Sequence, residues 1–138
     1  MLSATPGPTL LSDRRIGFVG CGVMAEAIMS VLIRGELVAP GQLQGSEPIE
    51  ARRQELGARY GVRISADNRQ AAAHADLVML TVKPQTLDAV MRDLWGTLQS
   101  HQIVVSIVPG ATVAQLVEGL DHRAVVRSMP NTPAQIGA

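Results

Sequence analysis

The stretch that decides the fold is Ile16-Gly-Phe-Val-Gly-Cys-Gly-Val-Met-Ala25. A short apolar run ends at Val19 and enters a glycine turn, and the residues that follow have the apolar spacing of a helix. The turn fits G-x-G-x-x-[G/A], in which the first glycine permits a tight turn and the second lets the backbone approach a pyrophosphate. A tight turn of an α/β protein that binds nothing is the alternative. The strand-turn-helix context favours a dinucleotide site at six residues: Gly20, Cys21, Gly22, Val23, Met24 and Ala25.

Apolar runs and helical stretches alternate along the rest of the chain. The runs predict strands at 16–19, 42–46, 62–64, 77–82, 103–108 and 124–127. Helical spacing predicts helices over 25–34, about 49–60, after Asp67 or Asn68, from Pro84 and after Thr112. Strands that alternate with helices form βαβ units with right-handed crossovers. We therefore predict an α/β fold, a doubly wound, mostly parallel, Rossmann-like sheet of about six strands.

Length and composition limit the organisation and the partners. The 138 residues suffice for one domain, predicted at 15–138, after a flexible leader at 1–14 that is rich in Pro, Gly, Ser and Thr. Lys plus Arg and Asp plus Glu number 12 each and aromatics are 2%, so no nucleic-acid partner is expected. No apolar run approaches the roughly 18 residues of a membrane span. One cysteine favours a reducing cytoplasm.

Two further positions bear on chemistry. Lys83 is the only lysine and follows the most hydrophobic predicted strand, so we expect it at the crevice beyond the strand ends, as a donor that positions a ligand. Cys21 is either a reactive thiol with a lowered pKa or a small residue in a crowded turn, and the crowding favours the second. The histidines, His74, His101 and His122, lack metal-type spacing, so we expect surface histidines and no metal site.

The end of the second predicted strand, Ser46-Glu47-Pro48, is where an adenosine ribose is expected. Glu47 as an acceptor from the 2′-hydroxyl favours NAD. Ser46 with Arg52 and Arg53 as partners of a 2′-phosphate favours NADP. Solvated charges are a third interpretation of the glutamate and the two arginines. The residues alone leave these alternatives open.

Five stretches together resemble pyrroline-5-carboxylate reductase, over essentially all of residues 15–138. They are Gly17-Phe-Val-Gly-Cys-Gly-Val-Met-Ala-Glu-Ala27, Asp67-Asn68, Thr81-Val-Lys-Pro-Gln85, the segment from Val105-Ser106 through Gly110, and Val126-Arg-Ser-Met-Pro-Asn-Thr-Pro133. Met129-Pro-Asn-Thr-Pro133 is the most specific, since no general rule for dinucleotide-binding sheets asks for it.

The resemblance implies an NAD(P)-dependent oxidoreductase of proline biosynthesis. Its substrate, a small cyclic imine, would be reduced to L-proline by hydride transfer from NADP or NAD. The resemblance leaves the catalytic residues unassigned, and it places Asn131 on the substrate side. The cofactor would be bound, besides the turn, by Ser46, Asn68, Thr81, Val82, Lys83, Pro84, Ile107 and Pro109.

Three departures from the family pattern qualify these expectations. Val23 stands where the family usually has Asn, and Pro109 where it usually has Ala, which removes a backbone N–H. The family's all-helical domain, which forms its homo-oligomers and much of its substrate pocket, is absent from this sequence, so we expect cofactor binding with poor turnover. The alternatives are a non-catalytic dinucleotide-binding module and the cofactor domain of a related, hydroxyacid dehydrogenase-like reductase.

Overall fold

A computed structural model describes residues 11–129, and in this part of the chain six strands form one sheet. Every neighbouring pair is parallel. The strands are β1 (Ile16–Val19), β2 (Leu43–Ser46), β3 (Arg63–Ser65), β4 (Leu77–Leu80), β5 (Ile103–Ser106) and β6 (Val125–Arg127), and they lie in the order β3-β2-β1-β4-β5-β6. The predicted doubly wound α/β fold is therefore confirmed, and the sheet is parallel throughout the described residues.

The helices divide between the two faces of this sheet. They are α1 (Val23–Arg34), α2 (Glu50–Tyr60), α3 (Asn68–Ala72), α4 (Leu87–Leu94) and α5 (Val113–Leu120). One apolar cluster joins α1 and α2 to the sheet through residues such as Phe18, Met29 and Leu56. The other joins α3, α4 and α5 through residues such as Leu94 and Leu116. The strand order reverses between β1 and β4, which opens a crevice at the carboxyl ends of these strands.

Several element boundaries differ from the predicted ones. The fourth and fifth strands end at Leu80 and Ser106, two residues earlier than predicted. Val19, the last residue of β1, pairs with Leu80, and Leu80 pairs with Ser106. Because β1 turns away after Val19, β4 has no partner strand on that side beyond Leu80. Pro84 begins a short 3-10 turn, and α4 starts only at Leu87. The expected caps are confirmed for α3 and α5, where Asp67 accepts from Arg69 N–H at 2.8 Å and Thr112 accepts from Gln115 N–H at 3.1 Å.

The expectation that His122 lies on the surface is wrong. Its ring is buried, and Nε2 lies 2.6 Å from the carbonyl oxygen of Gln102. Gln102 is itself buried, and its amide donates to the carbonyls of Ala72 and Ala75 at 2.7 and 2.8 Å. The chain reverses at the end of α5 through Asp121, whose φ of 52° turns the following histidine inward. These polar side chains satisfy backbone groups at the amino-terminal edge of the sheet.

One face of β4 is only partly covered. Leu77 and Met79 are half-buried, while Val78 and Leu80 between them are buried. On the same face, Ile103 of β5 is 41% exposed and Val126 of β6 is 52% exposed. Among the described residues, the apolar cluster of α1 and α2 includes Leu77 and Met79 of β4 but no residue of β5 or β6. No helix within residues 11–129 is long and apolar enough to cross a membrane.

Candidate functional site

The glycine turn lies between β1 and α1, beside the ends of β2 and β4. Gly20 is required by the protein itself. Its φ is +92°, and a Cβ there would lie 2.6 Å from a methyl carbon of Val82 and 3.0 Å from the carbonyl oxygen of Thr81. Only glycine fits a turn that leaves the sheet this sharply and this close to the next strand.

Gly22 has a different surrounding. Its φ is −89°, which any residue adopts, and a Cβ at this position would have no described protein atom within 4 Å. No described residue accepts from the N–H groups of residues 22–25 at the start of α1, as expected for the first turn of a helix. A side chain at Gly22 would fill the open space that these donors face. The turn therefore fits an anionic group held by backbone N–H groups and the positive end of a helix dipole.

Two polar side chains, just beyond the ends of the two strands that flank β1, hold the turn from the sheet side. The carboxylate of Glu47, directly after β2, accepts from Cys21 N–H at 3.3 Å and from Ile49 N–H at 3.2 Å. The hydroxyl of Thr81, directly after β4, donates to the carbonyl of Val19 at 3.1 Å and also to that of Gly20. Both groups stabilise the conformation of the turn. Glu47 is buried, so its interpretation as a solvated charge is wrong.

Two arginine side chains of α2, which lies on the same face of the sheet as α1, donate to carbonyl groups in and beside the turn. Arg52 donates to the carbonyls of Cys21 and Gly22 at 3.0 and 3.1 Å, and its side chain is only 21% exposed. Arg53 donates through Nη1 to the carbonyls of Glu47 and Pro48 at 2.8 and 2.9 Å. The interpretation as a solvated charge is therefore wrong for Arg52, whereas Arg53 is half-buried and bound to the backbone through Nη1 alone.

A polar chain of three side chains lies at the ends of β2 and α3. The hydroxyl of Ser46, which is buried, donates to the side-chain oxygen of Asn68 at 2.7 Å. The amide nitrogen of Asn68 donates to the carboxylate of Asp93 at 3.0 Å. An adjoining cavity of about 450 Å³ is lined in part by Asp67, Asn68 and Asp93. The structure therefore brings Ser46 and Asn68 together beside the glycine turn.

Cys21 is a packed residue. Its side chain is fully buried, with Sγ 3.8 Å from the carbonyl oxygen of Phe18. Burial, and to a lesser degree the negative charge of Glu47, raise the pKa of the thiol to about 12. The alternative of a reactive thiol with a lowered pKa is therefore wrong, and the small residue in a crowded turn is confirmed.

The remaining predicted site residues lie along the same edge of the sheet. Val82 packs beside Gly20, and Lys83 and Pro84 follow it on the exposed exit from β4. After β5 come the half-buried Ile107 and the exposed Pro109. In the turn, Val23 is 69% exposed and Met24 is half-buried, while Ala25 packs against the sheet. Asn131 and most of the 129–133 motif lie outside the described residues.

The contacts that hold the turn do not follow from the sequence pattern. The sequence offers a ribose, a 2′-phosphate or solvent as the partner of Glu47 and Arg52, and it gives Asp93 no role. The only sequence signal for Glu47 was its place directly after a strand that neighbours the glycine turn. No local pattern signals Arg52 or Asp93, since each reaches its partner from a different helix.

Comparisons with known proteins agree with this geometry. The family model described as "NADP oxidoreductase coenzyme F420-dependent" matches residues 15–110. A pyrroline-5-carboxylate reductase from Synechocystis is 42% identical over 124 residues, which cover 90% of this chain and 46% of that protein. The Escherichia coli enzyme of the same name is 35% identical over 127 residues, covering 91% of this chain and 47% of the enzyme.

Solved structures extend the similarity to three dimensions. A pyrroline-5-carboxylate reductase from Coxiella burnetii superposes with a TM-score of 0.84 at 31% identity, over 89% of this chain and 46% of that one. The Plasmodium falciparum pyrroline carboxylate reductase, solved with NADP bound, shares the fold with a TM-score of 0.76 at 23% identity, over 90% and 45% of the two chains. The resemblance inferred from sequence motifs is thus confirmed. The chain spans about half the length of the curated relatives that it matches.

Proposed function

Because this chain belongs to the family described as "NADP oxidoreductase coenzyme F420-dependent", we propose that its glycine turn binds the pyrophosphate of a nicotinamide dinucleotide. The observation that carries the proposal is Gly22. Nothing among the described residues requires glycine there, whereas a diphosphate that approaches the N–H groups of residues 22–24 does. Ser46, Asn68, Lys83 and the exit of β5 at Ile107 and Pro109 would line the rest of the cofactor.

We further propose that the reaction served by this domain is reduction of 1-pyrroline-5-carboxylate to L-proline, as the names of its relatives imply. The chemistry that NADPH supplies when bound is a hydride for the carbon–nitrogen double bond of this small cyclic imine. The residues of this chain would bind and orient the cofactor, and we assign Asn131 to the substrate side from the family resemblance alone. In this proposal the substrate pocket and homo-oligomer formation belong to a helical domain outside residues 15–138. We also propose that the protein works in the cytoplasm.

We propose NADPH as the preferred cofactor. Glu47 is buried and each of its carboxylate oxygens accepts from a backbone N–H group, which holds the carboxylate against the turn and away from a ribose hydroxyl. Arg53 is fixed through Nη1 at the turn after β2, and its Nε and Nη2 have no partner among the described residues. A partly buried guanidinium with free donors suits a 2′-phosphate at this position.

Replacement of Gly22 by valine tests the proposed site. Gly22→Val puts a branched side chain into the open space and is expected to weaken NADPH binding by at least ~2 kcal/mol, about 30-fold. Gly41→Val is the matched control, since a Cβ at Gly41 also has no described neighbour within 4 Å but lies far from the turn. Calorimetric titration with NADPH, on variants that still melt cooperatively, measures both. Equal affinities for the two variants would contradict the proposal.

A further inference from the structure

We propose that Arg52 is a positioning residue whose guanidinium sets the direction of the N–H groups in the glycine turn, and through them the affinity for a diphosphate. This inference rests on the proposed function. It differs from the sequence-based alternative, in which Arg52 contacts a 2′-phosphate at the adenosine end. Its basis is the contact of one side chain with two successive carbonyl groups of the turn.

The guanidinium uses all three of its nitrogens. Nε donates to the carbonyl of Cys21 at 3.0 Å and Nη2 to that of Gly22 at 3.1 Å. Nη2 also lies 2.8 Å from the carboxylate of Glu26, and Nη1 lies 2.6 Å from that of Glu55. The planar fork is therefore fixed from both sides and has little capacity left for a ligand.

Peptide geometry connects these contacts to the ligand side. In a planar trans peptide the C=O and the N–H point in opposite directions. The carbonyl of Cys21 points towards Arg52, so the N–H of Gly22 points away from α2. The Gly22 carbonyl accepts from Arg52 and also from Glu26 N–H at 3.0 Å, so Arg52 and the first turn of α1 together direct the N–H of Val23. These N–H groups have no acceptor among the described residues, and a Cβ at Gly22 would have no described atom within 4 Å, which leaves room for the diphosphate.

The neighbouring groups of the turn are held by other residues. Thr81 holds the carbonyl of Gly20, and Glu47 holds the N–H of Cys21. Among the described side chains, only Arg52 contacts the carbonyls of Cys21 and Gly22. Without it, the peptide planes whose N–H groups face the ligand would lose their side-chain restraint. Preorganised donors bind an anion more tightly than donors that must first be ordered.

Glu26 anchors the fork and stays ionised. Burial raises the pKa of this carboxyl, but hydrogen bonds from Tyr60, Arg59 and Arg52 outweigh burial and leave the pKa below its usual value. Arg59 thus contacts the same two carboxylates as Arg52, namely Glu26 and Glu55, and makes no contact with the turn. It provides a matched control for the loss of these ion pairs.

The test compares three variants of the full chain, Arg52→Met, Arg52→Lys and Arg59→Met, with two ligands. NADPH contains a diphosphate, whereas adenosine 2′-monophosphate carries the adenosine end without one. Lysine retains a charge near Glu26 but lacks the planar fork whose separate nitrogens contact two carbonyls and two carboxylates at once, so its variant should lose affinity as the methionine variant does. Fluorescence titration gives the NADPH dissociation constant, and competition gives that of the monophosphate. Thermal melts confirm folding, and Arg52→Lys serves if Arg52→Met does not fold.

Both Arg52 variants should bind NADPH at least tenfold more weakly than the unchanged chain, and Arg59→Met within twofold of it. Affinity for adenosine 2′-monophosphate should stay within twofold in all variants. Equal NADPH losses in Arg52→Met and Arg59→Met would overturn the role of Arg52 and assign the effect to the ion pairs. Equal weakening of both ligands would place Arg52 at the adenosine end instead. Failure of the unchanged chain to bind NADPH would contradict the proposed function itself, and this role with it.

Discussion

Replacing each of the two glycines of the turn by alanine should have a different effect: Gly20→Ala should lower stability, and Gly22→Ala should weaken cofactor binding. At Gly20 the new Cβ would lie 2.6 Å from Val82 Cγ1 and 3.0 Å from the Thr81 carbonyl oxygen, on a residue with φ of +92°. The positive φ costs about 1–2 kcal/mol. Pushing the exit of β4 aside costs about 1–3 kcal/mol more, by analogy with overpacked cores. Gly20→Ala is therefore expected to lower the free energy of unfolding by about 3 kcal/mol.

Gly22→Ala has no such cost, because its Cβ would meet no described atom within 4 Å and its φ is ordinary. The loss of glycine at an N-cap costs below about 1 kcal/mol. For a chain of this size, with an unfolding entropy of about 2.1 cal/mol/K per residue, the Gly20 change corresponds to about 10 °C in Tm and the Gly22 change to about 3 °C or less. For cofactor binding we expect the larger loss in Gly22→Ala, since only the alanine side chain at position 22 occupies the space that a diphosphate needs.

Thermal melting of the two variants without ligand, monitored by far-UV circular dichroism, measures the difference. The reasoning predicts a Tm for Gly20→Ala well below that of Gly22→Ala. An unchanged Tm in Gly20→Ala would refute the account of why the protein needs glycine there. A large drop in Gly22→Ala would show that Gly22 serves the fold rather than a ligand.

Four further predictions concern side chains around the turn. Arg53→Gln should weaken NADPH binding by about tenfold, the loss expected for a charge-assisted hydrogen bond, and leave NADH binding unchanged; equal effects would contradict a 2′-phosphate contact. Lys83→Ala should weaken cofactor binding with little change in Tm, whereas a loss of stability alone would indicate a structural lysine. Iodoacetamide should label Cys21 at pH 8 only when the chain is unfolded, because burial raises its pKa to about 12, and rapid labelling of the native chain would contradict this. Since the pKa of Glu26 is lowered in the folded chain, its contribution to stability is present above its unfolded pKa and is lost as the pH falls through the folded value. Glu26→Gln should therefore flatten the acid limb of the stability profile, which urea unfolding at several pH values measures.

Local patterns were sufficient to predict the strands and the turn. Apolar runs such as Leu77–Leu80 and the spacing of Gly20 and Gly22 are signals carried by neighbouring residues, so the architecture and the candidate pyrophosphate site followed directly. Strand ends were less well predicted, because β4 ends where its partner β1 turns away rather than where its own apolar run ends. That boundary belongs to the pair of strands and is invisible in either segment alone.

Polar contacts between distant segments could not be predicted in the same way. Glu47 reaches the N–H of Cys21 across 26 positions in sequence, and Arg52 reaches the carbonyl of the same residue across 31. Whether such a side chain is solvated or buried depends on how β2 and α2 lie against β1, which no local rule encodes. The burial of His122 could not be predicted for the same reason, since its partner Gln102 lies 20 positions away.

The most direct test of the central claim is a titration of the isotopically labelled chain with NADPH, followed by amide chemical shifts. The account predicts saturable shifts that are largest for the N–H groups of Gly22, Val23 and Met24, which no described residue accepts from. Smaller shifts should appear at Ser46 and Asn68. Binding without shifts in the glycine turn, or shifts concentrated at the opposite edge of the sheet around Arg15 and Arg63, would contradict it.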